Sequence, residues 1–159
     1  MPDGAAPSFP ERAARVRRAA ALLCLRLGWS PVHELPLANG RRADILALRP
    51  DGGFACIEVK SGLRDFQVDA KWPEYREYSD ALYFAVDADF PIEVLPGDCG
   101  LIVAHGAEAE VVREAPAHAL SPARRRALLL RFAVIAARRL AACEDPDGMA
   151  GLRAALRAE

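Results

Sequence analysis

Apolar residues recur at helical spacing between Glu11 and Leu27, where Val16, Ala20, Leu23 and Leu27 share one side and Gly28 supplies a stop. The pattern then changes to short apolar runs. Residues 32–37 read as a short strand that Pro36 demotes to an edge or an irregular strand. Asn39-Gly40 is a hairpin turn signal, and strands follow at 42–48 and 54–60. A polar, partly helical stretch runs from Ser61 to Asp80, with Pro73 suited to a first helical position. Further strands are predicted at 81–86 and 100–105, with a weaker one near 110–113. Ser121-Pro122 opens a long helix to about Ala142, with Leu128, Leu129, Phe132, Ile135, Ala136 and Leu140 predicted inward. Asp145-Pro146-Asp147-Gly148 then breaks the chain before a short final helix. This order predicts an α/β fold with a central mixed sheet flanked by helices, in a single domain over residues 11–142. Residues 1–10, with three prolines and a glycine, read as a flexible tail, and residues 143–159 as a C-terminal helical extension. There are no repeats.

The second hairpin carries the chemistry. Pro50-Asp51-Gly52 suits a three-residue connection, with Pro first in a type I turn and Gly in the left-handed conformation. Arg49 then pairs with Gly53 and Leu48 with Phe54, and the count brings Asp44 opposite Glu58 and Arg42 opposite Lys60. Side chains alternate faces along a strand. One face therefore carries Ala43, Ile45, Ala47, Ala55, Ile57 and Val59, all apolar. The other carries Leu46, Leu48, Phe54 and Cys56 at one end, and Arg42, Asp44, Glu58 and Lys60 at the other. Two carboxylates held roughly 5 Å apart between β-carbons repel by about 3 kcal/mol at an effective dielectric near 20. Lys60 and Arg42, a shared proton, or a divalent cation could offset this, and two carboxylates with room for water suit Mg²⁺ or Mn²⁺. A bland alternative is a salt-bridged rim at a strand end.

Composition narrows the classes. The chain has 159 residues, 52% hydrophobic and 27% charged, with a formal net charge of −1. That supports a packed core, and no global positive field marks a nucleic-acid partner. No apolar run reaches the roughly 18 residues that span a bilayer. Ala19 to Leu25 follows Arg17-Arg18 like a weak secretion signal, but it is short, is cut by Arg26 and reads as part of the first helix. The four cysteines are scattered and the three histidines lack ligand spacing, so structural zinc is not expected and a reducing cytoplasm is. Of 21 basic residues only Lys60 and Lys71 are lysines, which draws attention to residues 58–72. Charge is uneven: residues 61–100 hold nine acids against three bases, whereas residues 121–142 hold six arginines.

Asp44, followed by Glu58-Val59-Lys60 at a strand end after an N-terminal helix, resembles the core of the PD-(D/E)XK nuclease superfamily, with Ala43 where that name has proline. More of the chain, about residues 11–142, resembles the MmcB-like family of bacterial proteins assigned as DNA-repair endonucleases. The stretches that carry the likeness are residues 37–48, 57–61, Asp65-Phe66, 69–75, 82–86 and Arg124-Arg125. The resemblance implies a restriction-endonuclease-like fold and Mg²⁺-dependent cleavage of a phosphodiester bond. It implies Asp44 and Glu58 as metal ligands, the Val59 carbonyl as a third, and Lys60 as the catalytic lysine.

Around this core, Glu34 is a further site candidate. A two-residue Asn-Gly turn would point it away from Asp44, so a ligand role needs a bulge near Pro36. Glu11, which opens the first helix, and Asp69 are the other additional acids considered. Lys71 is a phosphate-contact candidate, as are Arg42, Arg12, Arg15, Arg124 and Arg125, although arginines on helices are also ordinary solvated faces. Trp72 and Tyr75 read as core, with stacking on an unpaired base as the alternative. The leading expectation is a cytoplasmic Mg²⁺-dependent DNA endonuclease of repair, acting on structured, single-stranded or damaged DNA, with a repair protein as a candidate partner and no membrane partner. The alternatives are a DNA-binding or interaction module with little catalysis, and a protein in which the cluster is only a salt-bridge network.

Overall fold

A computed structural model of the chain describes residues 8–157. The chain divides into two compact units, one ending at Ser121 and the other beginning at Pro122. The first unit contains helix α1 (Phe9–Arg26), strands β1 (Ser30–Pro36), β2 (Arg42–Leu48) and β3 (Phe54–Lys60), helix α2 (Leu63–Val68), a 3₁₀ stretch (Trp72–Tyr78), and strands β4 (Ala81–Asp87), β5 (Gly100–His105) and β6 (Glu108–Arg113). A short 3₁₀ turn at Ile92–Val94 precedes β5. The six strands form one sheet in chain order. Pairing is antiparallel for β1–β2, β2–β3 and β5–β6, and parallel for β3–β4 and β4–β5, so the sheet is mixed and the α/β class is as expected. β1 lies at an edge, where its two prolines remove few ladder bonds.

Helix α1 begins two residues before the sequence reading placed it. The Glu11 carboxylate accepts from both the N–H (2.7 Å) and the hydroxyl (2.8 Å) of Ser8, the signature of an S-x-x-E start. Of the tail predicted over 1–10, residues 1–7 lie outside the described residues, while Ser8 to Pro10 cap and open the helix. α1 buries Val16, Ala19, Ala20, Leu23 and Cys24 in one cluster with Ala47, Ala55, Ile57, Ala85 and Ile102. Every member of the predicted apolar face, from Ala43 to Val59, is buried. The other face is covered near its middle, where Phe66 and Trp72 meet the Phe84 ring edge-on at 5.5 and 5.4 Å. Trp72 also lies under the Arg76 guanidinium, and Tyr75 is buried, so both aromatics belong to the packing, as their core reading had it.

The hairpins decide the register. At 50–52 the turn is the expected one: Arg49 N–H donates to Gly53 C=O (2.8 Å), Gly52 N–H donates to Arg49 C=O (2.9 Å), and Gly52 has φ +81°. At 38–40 the expectation fails. Leu37 N–H donates to Arg41 C=O, Gly40 has φ +82°, and Pro36 pairs with Arg42. The loop thus has three residues rather than two, with Gly40 playing the part that Gly52 plays in its neighbour. The extra residue shifts β1 by one position and turns its faces over.

The second unit holds helices α3 (Pro122–Glu144) and α4 (Pro146–Arg157). Asp145 separates them, accepting the Gly148 N–H on its carboxylate (3.0 Å) and the Met149 N–H on its carbonyl (3.1 Å). Along α3, Leu128 and Phe132 are buried, but Leu129 (43% exposed) and Leu140 (58%) are not, contrary to expectation. The buried positions form a stripe one residue wide, and these two leucines stand roughly 80–100° round the helix from it. No helix among the described residues is long and apolar enough to cross a membrane.

Candidate functional site

The β2–β3 ladder pairs Leu48 with Phe54 and runs to Ile45 with Ile57, then stops, although β3 stays paired with β4 as far as Lys60. The strands splay at this end, and side chains replace the missing ladder bonds. Regular alternation would send the Val59 N–H to the carbonyl of Ala43. It donates instead to the Asp44 carboxylate at 2.8 Å. The Asp44 N–H donates to the Glu58 carboxylate at 3.3 Å. The two acids therefore meet on one sheet face, as the register argument required, but across an opened end rather than as a regular cross-strand pair. The expected partnership of Arg42 with Lys60 is absent for the same reason: Arg42 Nε lies 2.6 Å from Glu34, and Lys60 Nζ lies 2.5 Å from Asp69.

Burial makes this an expensive place for like charges. Glu58 is 3% and Lys60 5% exposed, and Asp44 is half-buried. Burial and then the neighbouring Asp44 charge push the Glu58 carboxyl up to about 8, against the pull of the Asp44 N–H and Lys60. Burial also raises Asp44, opposed by the Val59 N–H, Lys60 and Arg17. Each carboxylate gives one oxygen to a backbone N–H and keeps a second for another ligand. Among the described residues no group of three or more His, Cys, Asp or Glu is arranged to hold a metal ion by itself. The donor set is instead two carboxylates, whose all-oxygen chemistry suits Mg²⁺ or Mn²⁺ completed by water and substrate oxygens.

The three-residue turn at 38–40 by itself brings Glu34 opposite Asp44, with the β1–β2 register unshifted on either side, so the bulge expected near Pro36 is not needed; Glu34 itself has φ +50°. Its carboxylate bridges Arg17 (2.8 Å) and Arg42. A left-handed backbone at a glutamate costs on the order of 1 kcal/mol or more, a type of strain concentrated at functional sites. Glu11 is engaged in the α1 cap. Lys71 is exposed, its N–H donating to the Asp69 carboxylate at 3.1 Å. Arg15 pairs with Asp87 at 3.3 Å, and Arg12 is half-buried on α1. Arg124 and Arg125 belong to α3 in the second unit. Two neighbours of the site were not named as candidates from sequence: Arg17, which anchors Glu34, and Cys56, whose thiol points at Glu58 (3.9 Å). Tyr75, read as core, also donates its hydroxyl to the Arg42 carbonyl (3.2 Å). The alternation that placed Glu58 on this face also places Cys56 there.

Residues 3–147 match the family model described as DNA repair protein MmcB-like. The chain belongs to the MmcB-like family. Its fold is also that of a solved protein of unknown function from Silicibacter pomeroyi, 44% identical, with a TM-score of 0.83 over 86% of this chain and 94% of that one. No curated protein sequence matches the chain. Within this MmcB-like chain, the stretch from Asp44 to Lys60 joins paired acids to a buried lysine.

Proposed function

We propose that this chain is a Mg²⁺- or Mn²⁺-dependent endonuclease that hydrolyses phosphodiester bonds in DNA during repair. The observation that carries the reading is the splayed end of the β2–β3 hairpin, where Asp44 and Glu58 converge beside the buried Lys60. Membership of a family described as DNA repair proteins supports DNA as the substrate. Asp44 and Glu58 would hold the ion. The Val59 carbonyl leaves β3 on the same side as the N–H that reaches Asp44, which suits it as a third ligand. When bound, the ion supplies charge to a phosphoryl oxygen and makes a coordinated water more acidic.

The chain's own groups do the rest. Lys60 keeps an ammonium next to the acids in a site that is largely closed to solvent, where its charge acts strongly on a phosphate or an attacking water. Glu34 holds Arg42 beside Asp44, and Arg42 and Lys71 are exposed at the site's rim, where they can meet phosphate oxygens. Arg12 and Arg15 on α1, and Arg124 and Arg125 on α3, are the remaining phosphate-contact candidates. The net charge of −1 leaves little long-range attraction for DNA, which favours delivery by a repair protein partner.

The test is nicking of branched, single-stranded and damaged DNA with Mg²⁺ or Mn²⁺. Cleavage should disappear in Asp44→Ala and Lys60→Ala while circular dichroism and melting show folded protein. DNA binding without cleavage, unchanged by Asp44→Ala, would replace this reading with that of a binding module.

A further inference from the structure

Lys60 is tied by Asp69. The Nζ–Oδ2 distance is 2.5 Å, and the two side chains are 6% and 24% exposed. An ammonium on a flexible four-carbon stem can turn its three donors toward any nearby acid. Asp44 and Glu58 both stand close enough to act on Lys60 electrostatically, yet the ion pair is made with Asp69. Asp69 is not on the sheet. It follows α2, in the segment that crosses the polar sheet face, and that segment is anchored on both sides of it. Phe66 and Trp72 pack on Phe84, Glu74 pairs with Arg41 (2.9 Å), and the Tyr75 hydroxyl reaches the Arg42 carbonyl. The second Asp69 oxygen accepts the Lys71 N–H, which fixes the plane of the carboxylate.

Stability alone is a weak reason for this pair, because a buried ion pair gains little over apolar residues of the same size. Its effect is on direction and on charge count. Once a cation has displaced the Glu58 proton, Asp44, Glu58 and Asp69 set three negative charges against one ammonium. With Asp69 neutralising Lys60, the remaining two charges match one divalent cation. We propose that Asp69 is a positioning residue for Lys60. Its carboxylate draws the ammonium out of direct pairing with Asp44 and Glu58, so that these two acids stay available to a divalent ion and the ammonium keeps one place beside it. The catalytic consequence rests on the nuclease reading; the contact itself does not.

The chain contains only two lysines, so protein labelled with ¹³C-lysine gives only two sets of side-chain Hε–Cε correlations. In EDTA, Asp69→Asn should move the Lys60 set, and Asp69→Glu should restore most of the native shift. Manganese titration followed by electron paramagnetic resonance then closes a double-mutant cycle. Asp69→Asn should weaken Mn²⁺ binding by about tenfold or more, and should have no effect in the Lys60→Met background. A loss that persists without Lys60 would make Asp69 a metal ligand in its own right and overturn the proposal. So would a Lys60 signal that ignores Asp69→Asn. If the native protein binds Mn²⁺ but cuts no DNA, the nuclease reading fails and the cycle still decides Asp69. If it binds no Mn²⁺, the labelled lysine decides it alone. Where the native protein cuts, Asp69→Asn should lower kcat by about tenfold or more with KM for DNA unchanged.

Discussion

Replacing Glu58 with glutamine removes one of two crowded acids while keeping its size. The consequence follows from linkage. Glu58 is held as a neutral acid in the folded, metal-free protein up to about pH 8, whereas in the unfolded chain it ionises near its ordinary 4.5. Between those values the folded state binds more protons than the unfolded state, so stability falls as pH rises. The benefit of the neutral acid is fully present below about pH 4.5 and gone above about pH 8. The slope approaches about 1.4 kcal/mol per pH unit, and the whole window is on the order of 4–5 kcal/mol. That is a large share of the roughly 5–15 kcal/mol that holds a typical domain together. Urea unfolding in EDTA from pH 5 to pH 9 reads it directly. The native protein should lose stability across this range, and Glu58→Gln should lose far less, overtaking it by several kcal/mol at pH 8.5. Mg²⁺ at pH 8.5 should stabilise the native protein and leave Glu58→Gln nearly unchanged. Parallel pH curves for the two proteins would refute the argument that Glu58 is crowded by burial and Asp44.

Other consequences are structural. A Cβ on Gly100 would lie 2.2 Å from the buried Tyr83 ring, so Gly100→Ala should cost about 1–3 kcal/mol in chemical denaturation. The buried Asp80 carboxylate accepts the Phe54 N–H (2.7 Å) and the Leu120 N–H (3.1 Å), so Asp80→Ala should cost about 3 kcal/mol and speed amide exchange at both positions. Gly52 turns at φ +81° with open space around it, so Gly52→Ala should cost about 1 kcal/mol by strain alone, read as a shift in urea midpoint without a change in slope.

How much of this was readable beforehand depends on what each feature rests on. The 50–52 turn has proline, aspartate and glycine in the positions a three-residue connection needs, and those local residues were enough to set Asp44 against Glu58. The 38–40 turn has the same terminal glycine, but Asn39-Gly40 matches the two-residue turn equally well, and the one-residue error turned Glu34 to the wrong face. Splaying of β2 from β3 has no local signature. It depends on Asp44 and Glu58 capturing backbone N–H groups across the gap. Asp69 reaches Lys60 through a fold of the chain over the sheet, a tertiary contact nine residues apart in sequence that periodicity does not encode. On α3, leucine-rich periodicity suggested a broad inward face where only Leu128 and Phe132 are buried.

Crystals soaked in Mn²⁺ and measured at the manganese absorption edge test the central claim most directly. One anomalous peak should lie between the carboxylates of Asp44 and Glu58 and vanish in an Asp44→Ala crystal. Both side chains left in their native contacts with Val59 and Asp44 main-chain N–H groups, with no manganese between them at saturating concentration, would contradict it.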